Sequence, residues 1–396
     1  MHPVLSIGFY LLVQLIILLL LRWCLKRNPV FPRNKTALRF PGGFLFAVYL
    51  VLCLIPVAGT LMPDSRFRFL LQGTGDIFFG FLFYFDGIFF ILSIILLITD
   101  LLLHRRKKGI RQIAVFVFSL AAGAGLMIYG MVHAQQTEIA VYDVAGEETG
   151  EIRRDLKIVL ISDLHLGVNA RISTTRKMVD MINGQDADAV VIAGDLFNSS
   201  YESLKDPRLY SEALRNIEAK YGVYAVYGNH DVEETLFVGF PISPVSEAFR
   251  SEEMEQFAED CGFTVLYDDM VTIADGTVQI VGRIDGEKAG DGTAYRKSPS
   301  ELLAGIDPGK YTIILEHEPV EFEALKENGA DLALCGHTHA GQIFPGNLIV
   351  PFFNENAYGY KNISGLDMIV SSGVGYYGPP MRVGTNSEIT VVNIHL

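Results

Sequence analysis

The chain has 396 residues, of which 50% are hydrophobic and only 19% are charged, and its formal net charge at pH 7 is −13. This length allows two or more folding units, and the hydrophobic content is high for a soluble enzyme. The negative charge makes nucleic acid a poor partner on electrostatic grounds, and the four cysteines are too few to predict a disulfide framework.

The hydrophobic excess lies in the first third of the chain, in four runs whose lengths approach that needed to span a bilayer core. These runs cover residues 4–21, 44–61, 77–103 and 113–132. We therefore predict a transmembrane region of four helices over residues 1–133. The first run lacks the preceding basic segment and short apolar core of a cleaved signal peptide, so we interpret it as a retained anchor.

The loops between these runs differ in charge, which predicts the orientation of the chain in the membrane. The loop after the first run carries Arg22, Lys26, Arg27, Arg33, Lys35 and Arg39, and the loop after the third carries Arg105, Arg106, Lys107, Lys108 and Arg111. Basic loops are retained in the cytoplasm. The N-terminus and everything after Val132 are therefore predicted to be extracytoplasmic.

Asp86 is a carboxylate inside the third run. Charged groups within a membrane are costly, and they usually face the interior of a helix bundle. Because no intramembrane cation is evident from the sequence, transport is the less favoured interpretation of this residue. A transporter with an enzymatic appendage would require polar pairs across the helices.

The composition changes after the fourth run. Residues 134–155 are polar and include Gly146 and Gly150, and we interpret them as a linker or an edge hairpin. From residue 156 to residue 396, hydrophobic strand-like runs alternate with helical segments, which is an α/β pattern. Periodicity alone does not distinguish a doubly wound sheet from two stacked sheets.

Five hydrophobic runs in this part of the chain end in side chains that can bind metals. These side chains are Asp163 and His165, then Asp195, then Asn229, His230 and Asp231, then His317, and finally His337 and His339. A buried strand holds the backbone while the turn that follows can face a cleft. Imidazole, carboxylate and amide oxygen are suitable ligands for Mn, Zn or Fe. A carboxylate shared by two such ions is a recurrent arrangement for attack at phosphorus.

The ordered blocks D-x-H, G-D, G-N-H-D, a lone His and G-H-x-H resemble the signature of the calcineurin-like metallophosphoesterases, and the resemblance covers residues 156–396. The segment G-H-T-H-A-G-Q, with the glycine-rich residues 371–375 and Arg382, is most similar to the bacterial membrane-associated YkuE-like branch. The resemblance implies a four-layer αββα sandwich with the metals at one edge of its two sheets. One departure is Asn198, where many relatives have an aspartate.

The resemblance also implies a role for each residue of these blocks. One divalent ion would be held by Asp163, His165, Asp195 and His339, and a second by Asp195, Asn229, His317 and His337. Asp195 would bridge the two ions. His230 would contact a phosphoryl oxygen or protonate the leaving group, and Asp231 would orient the His230 ring.

These features together predict a multi-pass membrane protein whose extracytoplasmic domain hydrolyses a phosphate ester with a metal-activated hydroxide. The resemblance favours a phosphodiester, in a lipid or cell-envelope molecule. The alternative is a membrane sensor or binding protein that uses the metal cleft without turnover.

Two segments and several aromatic residues are candidates for the rim of the substrate site. The segments are residues 237–245 and 285–300, the second of which carries Lys288, Arg296 and Lys297. The aromatic candidates are Phe344, Phe352, Phe353, Tyr376 and Tyr377. Ordinary loops, solvated lysines and aromatic core are equally open interpretations.

Overall fold

The computed structural model describes residues 3–26, 39–63, 65–103, 109–145, 155–290 and 295–396. The chain divides into two compact units. The first contains Met1–Val132 together with two short later segments, Thr235–Ser243 and Gly378–Met381, and the second contains the remainder. Most of the basic residues on which the predicted orientation depends, including those at positions 27–35 and 105–108, lie outside the described residues.

The helices and strands are numbered in chain order. The helices are α1 (Pro3–Lys26), α2 (Arg39–Leu61), α3 (Arg66–Leu102), α4 (Gly109–His133), α5 (Ile172–Asn183), α6 (Pro207–Leu214), α7 (Glu252–Asp260), α8 (Pro299–Leu302), α9 (Phe322–Glu327) and α10 (Gly346–Ile349). The strands are β1 (Thr137–Ala145), β2 (Asp155–Ile161), β3 (Ala189–Ala193), β4 (Val223–Val226), β5 (Leu236–Phe237), β6 (Phe240–Pro241), β7 (Thr264–Val265), β8 (Asp269–Ile273), β9 (Val278–Gly282), β10 (Tyr311–Leu315), β11 (Leu332–Cys335), β12 (Gly359–Ile363), β13 (Leu366–Val370) and β14 (Ser387–His395).

The first unit is built from α1 to α4, which lie where the four apolar runs predict helices. Among the described residues, α1, α3 and α4 are long and apolar enough to cross a membrane, whereas α2 has a shorter apolar stretch, Phe46–Leu61. Helix α3 begins at Arg66 rather than at residue 77, because the Ser65 hydroxyl accepts a hydrogen bond from the Arg68 backbone N–H and caps the helix.

Two short segments from the later part of the chain belong to this helical unit. Strands β5 and β6 form a hairpin whose Phe237 ring lies edge-on to Tyr10, with 5.3 Å between the ring centroids. The Thr60 hydroxyl donates to the carbonyl of Leu236 at 3.1 Å. A Cβ atom on Gly80 of α3 would lie 2.6 Å from the sulfur of Met381. Residues 237–243 are therefore part of the helical unit and are not a free rim loop.

The second unit contains two mixed six-stranded sheets. Their strand orders are β1-β14-β2-β3-β4-β7 and β12-β13-β11-β10-β9-β8. Strands β2, β3, β4 and β7 are parallel in the first sheet, and β9, β10, β11 and β13 are parallel in the second. The carboxyl ends of parallel strands lie along one edge of a sheet, so the turns that follow them can meet there.

The two sheets pack face to face between layers of helices, which confirms the predicted αββα arrangement. Successive residues of a strand point to opposite faces. In β2, Ile158 and Leu160 join a core cluster with side chains of the second sheet, whereas Val159 and Ile161 face the helices α5 to α7. A third cluster, which includes Leu325 of α9, covers the outer face of the second sheet.

Strand β1 changes the boundary predicted between the membrane region and the enzyme. Residues Thr137–Ala145 pair in parallel with β14 at the edge of the first sheet, so they are not part of a linker over 134–155. Strand β14 comes from the far end of the chain, and a polar stretch does not reveal such a partner. Gly146 and Gly150 lie outside the described residues.

Candidate metal centre

The turns after five parallel strands supply the side chains of the candidate metal centre. Strands β2, β3 and β4 of the first sheet, and β10 and β11 of the second, each end a few residues before a predicted ligand. All seven predicted ligands are brought to one site, and most of them are buried. They are Asp163, His165, Asp195, Asn229, His317, His337 and His339.

Five of these residues have a left-handed backbone conformation. The φ angles are 54° at Asp163, 45° at His165, 55° at Asp195, 73° at His337 and 50° at His339. Each such residue costs on the order of 1–3 kcal/mol, and it persists only where the surrounding structure imposes the conformation. Strained backbone occurs at functional sites more often than elsewhere, and five of the seven predicted ligands have it.

Two overlapping groups of side chains have the spacing of metal ligands. The first group is Asp163, His165 and His339, and the second is Asp163, Asp195 and His317, with the ligand atoms of each group all within 4.8 Å of one another. In the first group, His339 Nε2 lies 3.2 Å from Asp163 Oδ1 and 2.9 Å from His165 Nε2. Asp163 is common to both groups, whereas the resemblance implies that Asp195 is the shared ligand.

The remaining predicted ligands lie beside the second group. His317 Nε2 is 3.2 Å from Asp195 Oδ2 and 3.1 Å from Asn229 Oδ1, and His337 Nδ1 is 3.2 Å from the same Asn229 oxygen. The other nitrogen of His317, Nδ1, donates to the carbonyl of Ala193 at 2.7 Å. This bond sets the tautomer and leaves the Nε2 lone pair facing the cluster.

The charge of the site suits a divalent cation. Burial alone would raise the pKa of Asp163 and of Asp195, but neighbouring histidines, chiefly His339 and His317 respectively, hold both pKa values below the ordinary range. Burial lowers the pKa of His165 and of His339. Burial alone would also lower the pKa of His317, but the carboxylate of Asp195 raises it, and a bound ion would replace that proton. Ionised carboxylates and neutral imidazoles are the protonation states that bind metals, so the residues present fit divalent ions.

Two glycines of the sequence blocks allow the backbone to approach these carboxylates. A Cβ atom on Gly228 would lie 2.3 Å from Asp195 Oδ1, and one on Gly336 would lie 2.6 Å from Asp163 Oδ2. Both distances are shorter than any real Cβ contact, so a side chain at either position would displace a ligand.

The structure corrects the predicted partner of the His230 ring. The carboxylate of Asp231 accepts hydrogen bonds from the backbone N–H groups of Phe197 and Gly228, each at 2.8 Å. It therefore stabilises the turn after β4. Glu234 instead lies beside the imidazole, with its Oε1 atom 3.0 Å from His230 Nδ1. The only sequence signal for Glu234 is its position four residues after His230.

Glu234 is held in turn by Lys288. The ammonium group of Lys288 forms an ion pair with the second oxygen of Glu234, and both side chains are almost fully buried. The other cations predicted to bind an anionic head group also have partners within the protein. Arg296 pairs with Glu316, Glu318 and Glu321, and Lys297 donates to the carbonyl of Asp268. Residues 291–294 lie outside the described residues.

The segment after β13 forms another wall of the site. The Tyr377 ring lies 5.0 Å from that of His339 and 5.9 Å from that of His165, measured between centroids. Arg382 is completely buried, and its guanidinium donates to the carbonyls of Ser372, Gly373 and Gly375 at 2.6, 3.0 and 2.7 Å. Arg382 therefore holds the glycine-rich segment in place.

Comparisons with known proteins found a matching family and several relatives. The profile of the calcineurin-like phosphoesterase family matches residues 156–341. A metallophosphoesterase of Campylobacter jejuni is 28% identical over 299 residues, which cover 74% of each chain. A transmembrane protein with a metallophosphoesterase domain from Danio rerio is 31% identical over 281 residues, covering 69% of this chain and 61% of that protein.

A metallophosphoesterase of Aquifex aeolicus is 31% identical over 246 residues, which cover 61% of this chain and 85% of that protein. The residues matched by the family profile, 156–341, contain the strands and turns that carry the ligand groups described above. The chain therefore belongs to the calcineurin-like phosphoesterase family of metal-dependent hydrolases, and it is a membrane protein.

Proposed function

We propose that this protein is a membrane-anchored phosphodiesterase that uses two divalent metal ions to hydrolyse an ester in a lipid or cell-envelope molecule. The observation that carries the proposal is the convergence of the seven predicted ligands: five of them form two overlapping groups, and Asn229 and His337 lie beside the second group. Two ions would share a carboxylate, and the two candidates are Asp195 and Asp163. Mn, Zn and Fe are compatible with these ligands.

Bound divalent ions would supply Lewis acidity and neutralise charge on a phosphoryl group. The protein itself would supply a proton donor, His230. Burial alone would lower the pKa of His230, but the carboxylates of Asp195 and Glu234 raise it above the ordinary value. Since Nδ1 faces Glu234, the Nε2 atom is available to donate a proton to the leaving oxygen or a hydrogen bond to a phosphoryl oxygen.

We also propose that the second unit is extracytoplasmic. The support is the run of basic residues in the loops before α2 and before α4, since basic loops remain in the cytoplasm. On this side of the membrane, envelope lipids and their head groups are the available phosphate esters.

A hydrolysis screen of the full chain in nanodiscs tests the proposed function. The esters would include bis-p-nitrophenyl phosphate, p-nitrophenyl phosphate and phospholipids, each with Mn, Zn or Fe. We expect the wild-type chain to hydrolyse at least one diester, and the Asp195→Asn variant to lose both activity and bound metal because one ligand charge is removed. A metal-loaded chain without turnover of any ester would instead support the binding-protein alternative.

Metal analysis of Asp195→Asn and Asp163→Asn separates the two candidate bridges. The variant that removes the shared carboxylate should lose metal from both sites, and the other should lose it mainly from one. Retention of both ions at normal affinity in Asp195→Asn would refute its role as the bridge.

A further inference from the structure

An exposed apolar ridge follows the metal histidines in the chain. We define the ridge as Phe344, Leu348, Ile349, Phe352 and Phe353, which lie on α10, on the single 3₁₀ turn Val350–Phe352 and on the residues beside them. Phe352 and Phe353 are 85% and 81% exposed, and the other three side chains are about half exposed. No charged residue occurs between His339 and Glu355.

The ridge stands on a rigid base. The backbone N–H of Phe344 donates to the carbonyl of Val383 at 2.8 Å, and the Asn347 side chain donates to the carbonyl of Gly384 at 3.3 Å. The Asn354 side chain donates to the carbonyl of Val350 at 3.0 Å and closes the turn. These bonds order the backbone of the segment on which the exposed aromatic side chains lie.

Such a surface is unfavourable in water. Burial of a Phe, Leu or Ile side chain is favourable relative to its exposure to water, because apolar surface is removed from the solvent. Scattered apolar side chains need no explanation, but a contiguous, uncharged group of five on an ordered turn is typical of an interaction site. The absence of charge argues against a partner that is recognised by electrostatic attraction.

The chain itself indicates what covers the ridge. Only Ala134, Gln135 and Gln136 separate the end of the apolar helix α4 from β1 of the second unit, and three extended residues reach about 10 Å. The second unit therefore remains close to the bilayer that α4 crosses. Exposed Phe, Leu and Ile on an uncharged segment are the side chains that enter the interface between head groups and acyl chains.

We propose that the ridge inserts into the bilayer surface and is a second membrane contact of this protein, separate from its transmembrane helices. Lipid covers the ridge, and it binds the ridge through hydrocarbon contact rather than through charge. The contact should consequently be insensitive to salt, because ionic screening weakens only the interactions of charged groups. The proposal does not depend on turnover or on the identity of the ester.

Tryptophan fluorescence in nanodiscs tests this contact on the full chain. The single native tryptophan, Trp23, would be changed to Phe, and one reporter would be introduced per protein as F352W or F353W. The matched control is F249W, because Phe249 is another exposed phenylalanine of the second unit, with 55% exposure. Each variant would be measured in discs of ordinary phosphatidylcholine and in discs whose acyl chains are brominated near the head groups. F118W, in the apolar helix α4 where Phe118 is 59% exposed, checks that brominated lipid surrounds the protein.

We expect bromination to reduce the emission of F352W and F353W but not that of F249W, with the same result at low and high salt. Equal emission of the ridge variants in both discs would overturn the proposal, as would equal quenching of F249W. A ridge that is instead an interface between copies of this chain would show emission that depends on the number of copies per disc and not on bromination. That result would also reject the lipid contact.

Discussion

Three carboxylates follow His230 within four residues, namely Asp231, Glu233 and Glu234, and of these only Glu234 contacts the imidazole. Asp231 hydrogen-bonds to backbone N–H groups, whereas Glu234 contacts His230 Nδ1 and is paired with Lys288. A buried carboxylate beside an imidazole fixes the ring orientation and favours its protonated form. At the scale of single residues, Glu234 and His230 are therefore the pair that we expect to act on the substrate.

The first residue-scale prediction concerns His230→Ala. Because His230 has no metal to hold in this assignment, the variant should retain its metal and lose roughly 10²–10⁴-fold in rate, the range usual for general acid–base groups. The loss should be smaller for nitrophenyl esters than for alkyl esters, because a good leaving group needs little protonation. Rates for both ester types and metal content are the measurements. Loss of metal in this variant would contradict the ligand assignment. An equal loss of rate for both ester types would argue against proton donation and mean that His230 acts only by electrostatic stabilisation of a phosphoryl oxygen.

The second residue-scale prediction separates Glu234 from Asp231. Glu234→Gln should reduce the rate by roughly 10–100-fold, as for other partners that orient functional imidazoles, with the same dependence on the leaving group as His230→Ala. The control, Asp231→Asn, should lower thermal stability because the amide keeps only one acceptor oxygen, so one of the two backbone N–H groups loses its partner. Its remaining activity should show no leaving-group dependence beyond that of the wild type. The reverse pattern would restore Asp231 as the partner of His230.

At the scale of elements, the site depends on strands that end abruptly and on turns with unusual backbone geometry. Strands β2, β3 and β11 are followed by ligands with positive φ, and glycines at adjacent positions leave space for the carboxylates. Strands of the first and second sheets contribute to the same site, so the stacking of the two sheets is part of its construction. The packing of the two sheets against each other brings the ligands together, and no single strand carries all of them.

Gly336→Ala provides a test at this scale. The new Cβ atom would lie 2.6 Å from Asp163 Oδ2 and from Ser162 Cβ, so Asp163 or the end of β11 must move. We expect weaker metal binding and a loss of about 1–3 kcal/mol of stability, as for other overpacked sites. The control is Gly305→Ala, because its nearest neighbour, Met270 Cε, would be 3.8 Å away. Metal titration and thermal unfolding are the measurements, and normal metal affinity in Gly336→Ala would refute the steric argument.

At the scale of the whole molecule, the helices form a unit that includes two segments of the later chain. Residues Thr235–Ser243 and Gly378–Met381 belong to that unit, and they follow directly on Glu234 and Tyr377 in the sequence. The chain therefore passes between the two units several times.

The orientation of the chain in the membrane is the whole-molecule prediction. A reporter fused after Glu151 should be active outside the cytoplasm, and one fused near Lys108 should be active inside, because the basic loops are retained on the cytoplasmic side. Paired phosphatase and fluorescent-protein fusions measure both positions. The opposite pattern would place the enzyme in the cytoplasm, where nucleotides would become candidate substrates.

The local order of residues determined much of what could be predicted from the sequence. Apolar runs indicated α1 to α4, and hydrophobic runs that end in Asp, Asn or His indicated the strands that carry the ligands. Both are short-range signals, because a helix, a strand and the turn after it are set by neighbouring residues. The similarity of these ordered blocks to a known family supplied the αββα arrangement, which periodicity alone could not distinguish from a doubly wound sheet.

Only the tertiary structure decided the features that depend on distant residues. The sequence indicated Asp231 as the partner of the His230 ring, but Asp231 binds the backbone N–H of Phe197, and Glu234, paired with Lys288, lies beside the ring. The polar segment 137–145 is a strand only because β14, from the end of the chain, pairs with it. Aromatic core was an open interpretation of Phe352 and Phe353 in the sequence, but both side chains are more than 80% exposed in the folded chain. In each case the outcome is set by contacts between residues far apart in sequence, and these contacts form only when the whole chain has folded.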